Sequence, residues 1–477
     1  MADALQKTIR PVQFFTLSFG CIIGVGWVVG LPAWLQLAGP GGAALAFLAG
    51  ALAMMLVGVC YAELATAMPV TGGEVAYVYV LFGTAASFAT GWFLALSSIA
   101  TTAFEAISLG WIAAAIVPGL DGPALYTVAG EPVRAGSLAI GIAGTALLTW
   151  LNYRGAGAAT RIQDVLTWAL LATSACFIVV GMAAGSVDNL RPLFSGTADR
   201  PVWRGVLTVM ATAPFWFAGF DVIPQMMGER APGSSLRLAG SMIMVSILVA
   251  AAFYVFVIIA CSMIMPWQEL VRLPMPAAEG FRRALGSELL AQVVLAAAVL
   301  GLVTTWNSVF IFASRVLFTL GRARLLAPAF GRVDRRHGSP TAAVLFVGVV
   351  SAAAVALGRG ALLPIVNVAG VCLAAAALLI CIGVVRYRRV APDVVRPYRV
   401  PGGSLTAGLA AIVCVLMVVW ALVEPALTGG VPLEWIVLGG WSVLGAILWV
   451  AAGRTRTVID ETERLGLIVE RATGEVH

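Results

Sequence analysis

Gly20-Cys21-Ile22-Ile23-Gly24-Val25-Gly26-Trp27 lies inside a run, residues 11–62, that contains no Asp, Glu, Lys or Arg. Phe215-Trp216-Phe217-Ala218-Gly219-Phe220-Asp221 closes a second apolar run that begins at residue 205. A helix crossing a bilayer has no use for Gly-x-Gly, or for Ala-Gly just before an Asp, unless the backbone opens there. Open backbone at membrane depth is tolerated only where it lines a cavity or is buried in protein. Two such breaks, placed in corresponding halves of a membrane chain, predict a secondary transporter with its site between them.

Around these stretches the composition is that of a membrane protein. The 477 residues are 61% hydrophobic and 11% charged, with mean hydropathy +0.98, outside the range of soluble globular domains. Further charge-free runs occupy 75–104, 135–153, 165–187, 238–268, 289–314, 338–358, 360–385, 400–423 and 435–453. A spanning helix needs about 20 apolar residues. The first run holds two spans divided at Pro40-Gly41-Gly42, and the count comes to twelve. Residues 1–11 are short and mixed in charge, so the first helix is expected to stay as an anchor and not to be cleaved.

Charge gives the orientation. With twelve spans, 21 of the 29 Lys and Arg fall on the side of both termini and 8 on the other. The positive-inside rule then predicts cytoplasmic N- and C-termini in a cell membrane, plasma or inner. The net charge of +6 reads as topology, with basic loops suited to lipid headgroups, and not as a nucleic-acid footprint. The tail 460–477 alternates acidic and apolar residues and is open to either a short amphipathic helix or no order. The seven cysteines lie in apolar segments and lack zinc-type spacing, so no metal or other cofactor is expected. His337 and His477 both lie outside the spans, which excludes histidine catalysis within the membrane. No nucleophile, base or metal cluster points to an enzyme.

Five motifs in register carry a family resemblance. Tyr61-Ala62-Glu63-Leu64 followed by Pro69-Val70-Thr71-Gly72-Gly73-Glu74, Tyr77 and Tyr79 resembles the segment joining helices 2 and 3 of the amino acid–polyamine–organocation superfamily, amino acid permease type. The stretch from Gly20 to Trp27 resembles that family's helix 1 motif, and Phe217 to Asp221 with Glu229 its helix 6 motif. Asn307, Ala313-Ser314-Arg315 and the stretch from Gly321 to Pro328 resemble the end of helix 8 and the loop behind it. Arg396-Pro397-Tyr398-Arg399-Val400-Pro401 resembles the loop after helix 10.

The resemblance implies an all-α membrane protein of about twelve transmembrane helices. It implies a five-plus-five inverted repeat with broken helices 1 and 6, and two extra helices. On this sequence the units are a cytoplasmic N-terminus 1–11, a first repeat 12–187, a second repeat 202–385, a basic loop 386–403, helices 11 and 12 over 404–453, and a cytoplasmic tail 454–477. The glycine breaks, about five spans apart, fit that arrangement.

Site expectations follow. Ile23, Gly24, Val25 and Gly26 would free N–H groups at the start of a half-helix, which attracts a carboxylate. In the family this segment holds the substrate carboxylate; close packing through small residues is the structural alternative. Phe217, Ala218 and Gly219 would offer carbonyls to an ammonium. Trp27, Phe215, Trp216 and Phe220 would supply aromatic walls or a gate. Asp221, an acid within a span, can accept a proton, pair with a cation, or brace the unwound turn. Glu105, deep in the third span, should face the interior and contact substrate, or else be protonated or paired with an Arg.

Glu63 and Glu74 are expected at inner gate or loop contacts, with Arg315 as a conceivable partner. Thr304 and Thr305 are placed for a Na⁺ ligand role or for back-bonding to their own helix. Some relatives carry a helix 5 lysine for proton coupling, and the single lysine here, Lys7, is not in a span. These features predict alternating-access transport of an amino acid or related amine. H⁺ symport comes first, Na⁺ symport second and exchange third; a channel or non-transporting sensor is the reading from a different class.

Overall fold

The computed structural model describes residues 9–70, 72–117, 119–154, 159–197, 200–334, 336–427 and 429–469, with the backbone alone for 159–162. Lys7, Thr71, the side chain of Arg161 and the tail beyond Val469 therefore lie outside the described residues.

The helices run in the order α1 (Pro11–Ile22), α2 (Gly26–Ala67), α3 (Gly73–Phe82) and α4 (Thr84–Ile116). A hairpin of β1 (Ala124–Val128) and β2 (Glu131–Arg134) follows, then α5 (Ala135–Tyr153) and α6 (Ala159–Ala184). The second broken segment is α7 (Val202–Ala211), α8 (Ala213–Trp216) and α9 (Val222–Gln225). It leads to α10 (Leu236–Ile264), α11 (Trp267–Leu270), α12 (Pro276–Leu285), α13 (Glu288–Arg322), α14 (Thr341–Val355) and α15 (Leu362–Val390). The chain continues through α16 (Ser404–Ala426), α17 (Leu433–Ala451), α18 (Gly453–Arg456) and α19 (Glu461–Val469).

Among the described residues nine helices are long and apolar enough to cross a membrane by length and composition. The α2 helix contains a break at Gly39, φ 73°, where the notched chain receives Leu193 and Ser195; Ser195 N–H donates to the Ala38 carbonyl at 2.9 Å. It thus counts as two passes. With α1 joined to its first arm, α7 through α9 joined to one another as one pass, and the shorter apolar helix α14 as another, the described residues make the twelve passes that the charge-free runs predict. The division expected at Pro40 falls one residue earlier, since only glycine takes a positive φ there without strain.

Serines start two of the long helices. Ser287 accepts the Leu290 N–H at 3.3 Å at the head of α13, and Ser235 accepts the Leu238 N–H at 3.3 Å at the head of α10. Within the bundle α4 and α15 are the most buried spans, whereas α5, α6, α16 and α17 leave most of their apolar surface outward, as lipid-facing helices do. The small hairpin was not anticipated. It links α4 to α5 and covers the α14–α15 turn, where the Tyr126 hydroxyl donates to the Ala356 carbonyl at 2.6 Å. We call this end the hairpin face, and the end holding residues 9–10 and α19 the terminal face.

Candidate functional site

The two breaks meet at the centre of the bundle. Helix α1 stops at Ile22 and α2 starts at Gly26, leaving residues 23–25 outside helix. Between α8 and α9 the chain is unwound over residues 217–221, with Gly219 at φ 120°. Gly219 presses on the first break: a Cβ there would stand 2.8 Å from the Ile22 nitrogen and 2.9 Å from the Cys21 carbonyl carbon. Its N–H donates to Asp221 Oδ1 at 2.8 Å, so this carboxylate, 6% exposed, braces the turn from within.

Three neighbouring helices satisfy the opened backbone. On α10, the Tyr254 hydroxyl lies 3.0 Å from the Trp216 carbonyl oxygen and 3.3 Å from that of Ile22, within donor reach of both breaks. On α13, the Thr305 hydroxyl reaches the carbonyls of Gly20 and Cys21, each at 3.1 Å. Gly301, one turn away, lets α13 lie against the break, since a Cβ there would be 2.7 Å from the Gly24 oxygen. On α4, Glu105 is 2% exposed and lies against the first break, while its Oε2 has no hydrogen-bond partner among the described residues. A Cβ added at Gly24 would overlap that carboxylate. Glu105 therefore sits at the amide end of the half-helix, the seat expected for a carboxylate.

The aromatic residues divide. Trp216 lies across Gly26 and Gly30, donates its indole N–H to Thr212 Oγ1 at 2.7 Å, and meets Phe104, Phe215 and Trp34 edge-on. Beside it a small cavity opens toward the hairpin face, lined chiefly by Val29, Gly30, Trp34, Phe104, Trp216 and Val366. Toward the terminal face the packing is closed: Tyr61, Glu74 and Tyr77 are all buried.

Several expected residues point elsewhere. Trp27 is fully buried and stacks on Phe177 at 5.0 Å, away from the cavity, because α6 and α10 close over that side of α2. Phe217 packs behind the break on Tyr254 and Phe47, and Phe220 meets Tyr61 edge-on at 5.0 Å. Ala218 packs near Leu94, Leu373 and Ala376. Thr304 is committed to the Leu300 and Gly301 carbonyls of its own helix, the back-bonding alternative. Ile23 is buried, with its carbonyl oxygen 3.0 Å from where a Cβ of Gly301 would stand.

Glu63 does not pair with Arg315. It is held by Arg388 at 2.5 and 2.7 Å, by Arg396 at 3.6 Å, and by the Val400 N–H at 2.7 Å, tying α2 to the loop after α15. Arg315 lies 3.8 Å from Glu229 instead. Glu74 accepts from Gln225 Nε2 at 3.3 Å. Among the described residues no group of three or more His, Cys, Asp or Glu is placed to hold a metal ion. Sequence reasoning missed Tyr254, Gly301, Phe104 and Gln225. They carry no motif, and only the folded chain brings them to the breaks.

A family model described as amino acid permease matches residues 9–449. The branched-chain amino acid permease BcaP of Bacillus subtilis is 26% identical, over 96% of this chain and 95% of that protein. The methylthioribose transporter of the same organism is 24% identical over 96% of each chain, and its amino-acid permease RocE 25% over 70% of each. The match spans both broken helices and the helices that pack on them, and on it the chain belongs to the amino acid permease family of the amino acid–polyamine–organocation superfamily, as a multi-pass membrane transporter.

Proposed function

We propose that this chain is a secondary active transporter of an amino acid, working by alternating access around the two breaks and coupled to H⁺. It would lie in the cell membrane with both termini cytoplasmic, its first repeat (12–187) and second repeat (202–385) rocking about the site. The observation that carries the reading is Glu105, a buried chain carboxylate set against Gly24 at the amide end of the half-helix, with no hydrogen-bond partner on its other oxygen among the described residues. A substrate carboxylate entering the same seat competes with it, and protonation of Glu105 would relieve the repulsion between the two acids. Asp221 is the second proton candidate.

The apolar cavity beside Trp216 suits an apolar side chain, in keeping with the branched-chain permease among the relatives. A Na⁺-coupled cycle draws support from Thr305 at the Gly20 and Cys21 carbonyls, but Thr304 is already engaged with its own helix.

Thermal unfolding of the purified protein in detergent tests this, because a ligand that binds the folded state raises the melting temperature by mass action. The panel is leucine, isoleucine, valine, lysine, arginine and related amines, each with and without Na⁺, at acidic and neutral pH. A rise with branched-chain amino acids, larger at acidic pH and indifferent to Na⁺, is the expected result. A rise that needs Na⁺ would replace the coupling ion, and no rise with any α-amino acid would overturn the carboxylate seat.

A further inference from the structure

On the alternating-access reading, the inner half of the second broken segment must part from α13 when the site opens toward the terminal face. The last described helix stands in the way. Helix α19 packs on α13 and on α3 at that face, with Ile468 1% exposed.

Its hold on α13 is through two arginines. Arg464 is itself 5% exposed; its Nε donates to the Ala323 carbonyl at 3.2 Å and its Nη2 to the carbonyls of Ile459 and, more tightly, Arg456. From the other side, the Arg322 guanidinium donates to the Leu467 carbonyl, at 3.0 Å from Nε and closer from Nη2. Its hold on α3 is through the Tyr79 hydroxyl, which donates to the Glu461 carbonyl at 3.4 Å, and through the Ile468 carbonyl oxygen, which lies 2.9 Å from where a Cβ of Gly72 would stand.

Helix α3 in turn grips α9. The Tyr77 hydroxyl donates to the Pro224 carbonyl at 3.3 Å, Gln225 Nε2 donates to Glu74 at 3.3 Å, and Gly73 admits the Gln225 side chain, whose Cγ would be 2.5 Å from a Cβ there. The contacts run unbroken from α13 through α19 and α3 to α9. Moving α9 away from α13 therefore requires α3 to slide from under α19.

We infer that α19 is a latch that holds the terminal face closed, and that its release sets the rate at which the site opens to that side. The latch is built to let go. It covers few residues, it grips backbone carbonyls and not a carboxylate, and Arg456 stands beside Arg464. Burial and that like charge together hold the Arg456 guanidinium below its ordinary pKa. Local elements with few buried contacts open at low free energy.

Hydrogen–deuterium exchange on the full chain tests this without a substrate. Arg464→Ala removes the anchor on α13, and Ile468→Asp removes the apolar seat. Both lie outside the spans, so the bundle stays in place. In each variant, exchange over α3 and over 217–225 should rise at least tenfold, with the β1–β2 hairpin unchanged. Freely exchanging α19 amides with wild-type exchange in α3 and α9 would overturn the latch.

Initial uptake of radiolabelled leucine by proteoliposomes gives the functional arm, with at least a twofold rise expected in both variants. A rise in exchange with a fall in uptake would overturn the latch as a brake. No leucine uptake by the wild type would sink the substrate reading alone, and exchange would still decide the latch.

Discussion

At Gly24 the absence of a methyl group leaves room for chemistry. A Cβ there would overlap the Glu105 carboxylate and stand 3.0 Å from Thr305 Oγ1, so any side chain displaces both groups from the half-helix end. Gly24→Val is expected to abolish binding, at least a hundredfold in Kd or about 2.7 kcal/mol, while the protein still reaches the membrane folded. Isothermal titration with the ligand identified by thermal unfolding reads this, and an unchanged affinity would remove the seat from the site. The sequence exposed Gly24 because a Gly-x-Gly pair in a charge-free run marks either an opened backbone or close helix packing, both of which need the missing side chain. It did not reveal Tyr254, since a tyrosine in the middle of an apolar helix looks the same whether its hydroxyl faces a neighbour or an open backbone. Nor did it reveal that Trp27 turns away from the cavity, into the packing of α6 and α10. Ring direction depends on which helix covers that side, and no pattern local to residues 20–27 carries that information.

The broken element shows what an acid near a break does for the backbone. Asp221 Oδ1 accepts the Gly219 N–H, and an amide oxygen in its place accepts equally well. Asp221→Asn therefore keeps the unwound turn and removes one proton acceptor. The expected outcome is uptake at near wild-type rate with a flattened pH profile, measured in proteoliposomes from acidic to neutral pH. An unchanged profile would take Asp221 out of the coupling scheme and leave it as a brace. At this scale the long spans were legible because bilayer thickness dictates an apolar length. The β1–β2 hairpin and the short helices α8, α9, α11 and α12 were not, because pieces of four to ten residues owe their form to packing more than to propensity. The tail, left open between a helix and no order, forms α19 where it meets α3 and α13.

Across the whole molecule, order and count of passes followed from charge and hydropathy, whereas the ties between distant passes did not. Glu63 is the plainest example. Its family motif placed it at the inner end of α2, but its partners are Arg388, Arg396 and the Val400 N–H, far along the chain. Its side chain is fully buried and that of Arg388 only 24% exposed, so Glu63→Ala leaves guanidinium groups without their carboxylate. A loss on the order of 3 kcal/mol is expected, seen as a lower melting temperature in detergent, and an unchanged melting temperature would show that the loop after α15 finds other partners. The same tie bears on biosynthesis. Chains are made from the N-terminus, and long-range contacts form last. Glu63 enters the nascent bundle while Arg388 has yet to be translated. Until α15 arrives, the growing protein must shelter an acid whose counter-charge does not yet exist, so the assembly pathway has to keep that end of α2 wet, protonated or chaperoned until the later half of the chain is inserted.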